Sequence, residues 1–147
     1  NDLMNTDQWR RLDQWLKLLP ADVMARSPLL LNTRAFRALQ RGEEQVLAAI
    51  QQQVAQLLAA MPAEAEDRQA AETELIVLLG VQDYNLGQGA RASDRARSSL
   101  ERLPPQALHI RTVALITLAA SLQMEGNTEE GARVIREALD DPAWTGE

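Results

Sequence analysis

Cysteine is absent from the 147 residues, which excludes disulfides and every cysteine-based zinc site. It fits a reducing compartment, and the cytoplasm is the default expectation. Aromatics are scarce: three Trp, one Tyr and one Phe. Ile and Val are sparse as well, and the 46% apolar fraction is carried by Leu and Ala. Strands draw on β-branched and aromatic side chains, so this composition predicts an all-α fold. Positive charge is in deficit, with 15 Lys and Arg against 21 Asp and Glu for a formal charge of −6. That argues against a nucleic-acid surface, which needs clustered cations to neutralise phosphates, while leaving room for a local basic stripe. No window approaches the roughly 20 uncharged apolar residues that span a bilayer. The uncharged run Val113 to Met124 is short and contains Thr117, Ser121 and Gln123. The start lacks a basic-then-apolar signal pattern and opens on Asn1, so the chain is read as a segment of a longer protein.

What is present is helix punctuation. Thr6 is placed to cap a first helix through Leu19, with Trp9, Leu12, Trp15, Leu16 and Leu19 at three- and four-residue steps. Trp9 and Trp15 lie about 240° apart around that helix, and Trp15 is expected to pack beneath the next long helix as core. Pro20 ends it, and a short helix follows around Ala21 to Ala25. "SPLLL" then gives a start signal, Ser27 as N-cap and Pro28 at the first helical position, for a helix running to Gly42. Glu43 to Met61 is the return helix, with Val46, Leu47, Ile50, Val54, Leu57, Leu58 and Met61 as its stripe.

Beyond "PAEAED" a helix runs from about Asp67 to Leu86, "GQG" breaks it, and its partner extends from Ala90 to Arg102 before "LPP". Gln106 to Glu125 is the next helix. Gly126 stops it, Asn127 is placed to cap the last one, and Glu130 completes a capping-box-like pattern.

Three helix pairs therefore follow one another, each turning at a glycine: Gly42, Gly87 and Gly126. Overlaying the last two on that glycine puts Gly80 on Ala119, Ala92 on Gly131, Ala96 on Ile135 and Ser99 on Ala138. Small residues recur where two helices must approach closely. Gly131 costs its helix roughly 1 kcal/mol against alanine, a cost that closer packing would offset. On this reading Gly131→Leu pushes the hairpin apart and Gly131→Ala is tolerated. The first hairpin fits only loosely, with Ala35, Gly42 and Ala48 in place but Leu47 at the strict small position.

"LAASLQMEGNTEEGARVIREALDDP" and "LLGVQDYNLGQGARASDRARSSLERLP" resemble the tetratricopeptide repeat, a helix hairpin of roughly 34 residues. The expected fold is an all-α, right-handed, tetratricopeptide-like α-solenoid of about three antiparallel hairpins. It forms one domain over residues 1–147: leading helices 1–26, then hairpins 27–61, 65–103 and 105–141. A more specific resemblance lies at the front. "WRRLDQWLKLLPADVMARSPLLLNTRAFRALQRGEEQVLAAI" is similar to the helical-repeat region of MalT-like, LuxR-type ATP-dependent transcriptional regulators. Trp15, Leu16, Leu19, Pro20, Pro28, Leu29, Leu30, Ala35 and Gly42 carry the match. The resemblance implies a STAND-type signalling ATPase whose repeats bind a small-molecule inducer or a regulatory protein and help control self-association.

Catalytic chemistry has no readable signature. No G-x-x-x-x-G-K-[ST] loop occurs. By the resemblance, ATP and DNA are handled by other domains of the parent chain, and this segment itself is expected to hold no cofactor, touch no nucleic acid and meet no membrane. "GQGARA" satisfies G-x-G-x-x-A, but a predicted helix and not a strand precedes it, so a helix turn is the better reading. His109 is the only histidine, which makes a metal site or a His-based triad improbable. Glu43 with Glu44 and Glu129 with Glu130 sit in first turns, where the macrodipole favours them. Arg91, Arg95, Arg97 and Arg102 read as a solvated face before a phosphate site.

The best functional surface is the inner wall lined by the first helix of each hairpin. By analogy with tetratricopeptide repeats it comprises Asn32, Phe36 and Gln40, then Val81, Tyr84 and Asn85, then Gln123 and Met124. Amides beside an aromatic and a methionine suit a peptide or small polar ligand. The alternative is that several of these pack against the next helix. Trp144, beyond Pro142, marks an expected exposed apolar edge through which the segment self-associates. The rival function is a stand-alone tetratricopeptide-type adaptor, and a small helical enzyme is the third.

Overall fold

A computed structural model describes the backbone of residues 2–145, with side chains from residue 10 onward except those of residues 143 and 145. The helices are α1 (Asp2–Leu18), α2 (Ala21–Arg26), α3 (Pro28–Arg41), α4 (Glu44–Ala60), α5 (Glu66–Asn85), α6 (Gly89–Arg102), α7 (Leu108–Met124), α8 (Thr128–Asp140) and α9 (Pro142–Thr145). No strand occurs among the described residues, so the chain is all-α, as its composition predicts. Two compact units divide it, Asn1–Ala60 and Met61–Glu147.

In the first unit, Ser27 caps α3 as expected: its hydroxyl accepts from the Leu30 N–H at 3.3 Å, with Pro28 at the first position. The core is Met24 of α2, Leu31, Ala35 and Ala38 of α3, and Leu47, Ile50, Val54 and Leu58 of α4. Those four α4 residues are the centre of its apolar stripe, while Val46 at the edge stays exposed. α1 departs from expectation at both ends. It begins at Asp2, so Thr6 stands inside the helix and not at its start. The side chains of Thr6 and Trp9 lie outside the described ones. Trp15, expected in the core, is 72% exposed, and Leu18 is 82% exposed. The reason is rotational: Asp13 faces α3, and two residues of helix carry Trp15 about 200° away from that face.

In the second unit each helix from α5 to α8 packs on the next, and α7 also touches α5. α7 is therefore enclosed on several sides, burying Ile110, Ala114, Leu115, Leu118 and Leu122. Ala96 of α6 packs with Leu118 and Leu122 of α7, flanked by Leu100 of α6 and Val134 of α8. Buried hydroxyls are answered locally: Thr73 donates to the Gln69 carbonyl and Thr117 to that of Val113, both at 2.8 Å. Ser121 is the exception, its hydroxyl fully buried without a partner among the described residues.

The three glycine turns share one geometry. Gly42, Gly87 and Gly126 have φ of 68°, 74° and 84°, a left-handed conformation that only glycine adopts without a steric penalty. After each, the next N–H reaches five residues back: Glu43 to the Ala38 carbonyl at 2.9 Å, Gln88 to Asp83 and Asn127 to Leu122 at 2.8 Å. These bonds satisfy carbonyls that the helix end would orphan. Asn127 does stand at the start of α8, but its side chain makes no capping bond. Glu130, the expected other half of a capping box, is drawn instead to Arg97 of α6.

Helix crossings also repeat. A Cβ on Gly80 would stand 3.4 Å from the Arg95 Cβ and 3.7 Å from the Ala92 carbonyl oxygen. A Cβ on Gly131 would stand 2.9 Å from the Ala119 carbonyl oxygen. Gly80 and Ala119 correspond in the overlay, as do Ala92 and Gly131, so each crossing pairs one glycine with one alanine, on opposite helices in the two cases. The tolerance expected for Gly131→Ala is thereby corrected, because 2.9 Å to a backbone oxygen leaves no room for a methyl group.

Candidate functional site

Among the proposed wall residues, Asn32 is corrected at once: it is 0% exposed on α3, a core residue that no ligand can reach. On the same helix Phe36 is half-buried and Gln40 exposed, its side-chain oxygen accepting from the Arg37 guanidinium. Helical spacing explains the difference, since Asn32 shares its face with Ala35, which α3 turns into the core. The remaining positions fall in the second unit. Val81 and Tyr84 are half-buried and Asn85 exposed at the end of α5, while Gln123 and Met124 are exposed at the end of α7. α5 and α7 pack directly, and the Met124 sulfur lies 3.3 Å from where a Gly89 Cβ would stand. Met124 thus sits against the start of α6.

The arginines of α6 are all engaged. Arg95 meets the buried carboxylate of Asp83 at 2.7 Å, with Arg91 at 3.4 Å. Arg97 pairs with Glu130 of α8, and Arg102 lies 3.7 Å from Glu72 of α5. The helix is neutralised by its neighbours, which leaves it little attraction for phosphate. "GQGARA" is a helix turn: α5 precedes it, and the start of α6 faces Glu125, whose carboxylate accepts from Ser93 at 2.7 Å. An incoming phosphate would meet that negative charge at the N-terminus of the helix.

The first unit contains an arrangement of the opposite kind. A groove of about 430 Å3 is lined by Asp13, Leu16, Lys17 and Leu19, by Ala21 and Met24 of α2, by Arg34, Arg37, Ala38 and Arg41 of α3, and by Glu43 and Val46. Arg37 grips Asp13 with two parallel bonds, Nε to Oδ1 at 3.0 Å and Nη2 to Oδ2 at 2.8 Å. Arg41 adds a third contact at 2.6 Å. Hydrogen bonding from Arg37 holds the Asp13 carboxyl below its ordinary range against the opposing effect of desolvation, with the fields of Arg37, Arg41 and Lys17 acting in the same direction. The Arg37 guanidinium is raised by the same bond.

Comparison with protein-family models, curated proteins and solved structures finds no match to the chain.

Sequence reasoning singled out the arginines of α6 and passed over those of α3. The signal was present: Arg34, Arg37 and Arg41 recur at steps of three and four, which puts them on one face of a helix, and Asp13 and Lys17 are four apart on another. No periodicity in the sequence reveals that α1 brings that carboxylate to those guanidiniums. Among the described residues no cluster of His, Asp and Glu is arranged to hold a metal ion, and no helix is long and apolar enough to cross a membrane. His109 is exposed in the first turn of α7. Trp144 is partly covered, the Arg111 guanidinium lying 4.8 Å from its ring centre.

Proposed function

We propose that this chain is a non-catalytic ligand-sensing and protein-interaction module, a tetratricopeptide-like right-handed α-solenoid belonging to a MalT-like, LuxR-type transcriptional regulator. The observation that supports the repeat reading most is the register. Three turns with left-handed glycines make the same backward hydrogen bond, and two crossings place a glycine opposite an alanine at corresponding positions. Repeats built this way stack by nearest-neighbour contacts and expose a continuous wall for recognition.

In this reading each unit offers its own recognition face, Phe36 and Gln40 in the first and Val81, Tyr84, Asn85, Gln123 and Met124 in the second, without Asn32. A small-molecule inducer or regulatory protein binds there in the cytoplasm. Its differential affinity for two states shifts the parent between a resting and a self-associated form. ATP and DNA belong to other domains of that parent.

The complete open reading frame is the direct test: a P-loop upstream and a helix-turn-helix downstream support the regulator, and the absence of both overturns it in favour of a stand-alone adaptor. Within a regulator, Tyr84→Ala and Met124→Ala should abolish the response to inducer while leaving the fold intact by circular dichroism. A normal response in both variants would remove the wall from the mechanism.

A further inference from the structure

The groove of the first unit holds more positive than negative charge in a chain whose formal charge is −6. Lys17, Arg34, Arg37 and Arg41 face it, against Asp13 and Glu43. Asp13 is committed to Arg37 and Arg41. Among the described residues, Lys17 and Arg34 make no ion pair. The contrast with α6, where each of the four arginines lies within ion-pair distance of Asp83, Glu130 or Glu72, is what makes these two cations informative. Much of the remaining lining is apolar, including Leu16, Leu19 and Met24. A volume of about 430 Å3 falls within the range of pockets that enclose small molecules, which pair an apolar lining with a few polar groups.

We infer that this groove binds a small organic anion, a carboxylate or phosphate ester with an apolar body. Lys17 and Arg34 take the acidic head, and Leu16, Leu19 and Met24 take the body. The Asp13 clamp ties Arg37 and Arg41 to α1, so that side of the groove is in place before the ligand arrives, and only Lys17 and Arg34 have to be ordered on binding. Guanidinium and ammonium donors favour such heads through charge-assisted hydrogen bonds. The inference does not rest on the regulator reading, because the groove lies wholly within residues 1–60 and involves none of the wall positions.

The test is an NMR titration of the whole chain at physiological salt with four probes: hexanoate, hexyl phosphate, neutral hexanamide and tail-less acetate. Either hexyl anion should produce saturable shifts centred on Arg34, Lys17 and Met24, with hexanamide and acetate at least about tenfold weaker. Arg34→Gln and Lys17→Gln should each weaken the anion about tenfold, whereas Arg26→Gln, an exposed arginine outside the groove, should leave it unchanged. Equal binding of hexanamide overturns the charged head, and equal binding of acetate overturns the apolar body. An equal loss in Arg26→Gln reduces the effect to a diffuse field. No saturable shift with either anion up to about 10 mM overturns the site itself.

Discussion

The two units solve helix association by different means. Residues 1–60 carry seven Lys and Arg against six Asp and Glu, a formal charge of +1, whereas residues 61–147 carry eight against fifteen, a charge of −7. In the second unit helices approach through glycine and alanine, and the arginines of α6 tie it to α5 and α8. In the first, the position matching Ala92 and Gly131 is Leu47, fully buried opposite a helix that offers Ala35, and α1 is fastened to α3 by one carboxylate held between two arginines. Close packing brings the helices of the second unit together through backbone and small side chains, while a clamp built on side-chain ends leaves a groove beside it in the first.

Several substitutions would break or sharpen that contrast. The largest effect should come from exchanging the packing modes. Leu47→Ala empties a filled core position and should cost about 2–5 kcal/mol in urea denaturation. In the second unit the reciprocal change, Ala92→Leu, should destabilise by overpacking, and a neutral result in both would deny that the units differ. Gly131→Leu comes next, at about 3 kcal/mol. Gly131→Ala should still cost about 1 kcal/mol net, because a methyl 2.9 Å from the Ala119 oxygen outweighs the gain in helix propensity. A stabilised Gly131→Ala variant would show that α7 and α8 separate at no cost.

Ser121→Ala should act in the opposite direction, raising stability by about 1 kcal/mol, since a buried hydroxyl without a partner is removed. An unchanged or lowered stability would mean that the hydroxyl is satisfied in solution. The smallest effect concerns the clamp, where Asp13→Asn should cost under about 1 kcal/mol at pH 7, as for other partly exposed ion pairs. Because the Asp13 pKa is depressed in the folded chain, its contribution is present above the unfolded value of about 3.9 and is lost as pH falls through the lower folded value. The gap between wild type and Asp13→Asn should therefore narrow as pH falls below the unfolded value, and a gap that stays constant through the acid range would rule out the carboxylate as its source.

Helix identity was legible because its signals are local. Ser27 with Pro28 and the glycines at 42, 87 and 126 mark ends whose hydrogen bonds close within a few residues. Asn127 and Glu130 carried the same kind of signal and failed, because a guanidinium on another helix competed for Glu130. Trp15 failed for a related reason. Apolar spacing gave α1 a stripe but not the rotation that an ion pair to α3 imposed. Asn32 was misplaced because a family pattern supplied its direction, whereas Ala35 and Leu31 beside it turn that face into the core.

The sequence by itself determined that this chain is helical, where its helices turn, and which small residues stand at matching positions, since each of these follows from backbone preferences over one or two turns. Tertiary structure alone decided that Glu130 serves Arg97 and not its own helix, that a methyl at 131 has no room, and that Asp13 meets Arg37 and Arg41 beside two cations without ion pairs. Those outcomes depend on distances between segments far apart in the chain, which local preference does not encode.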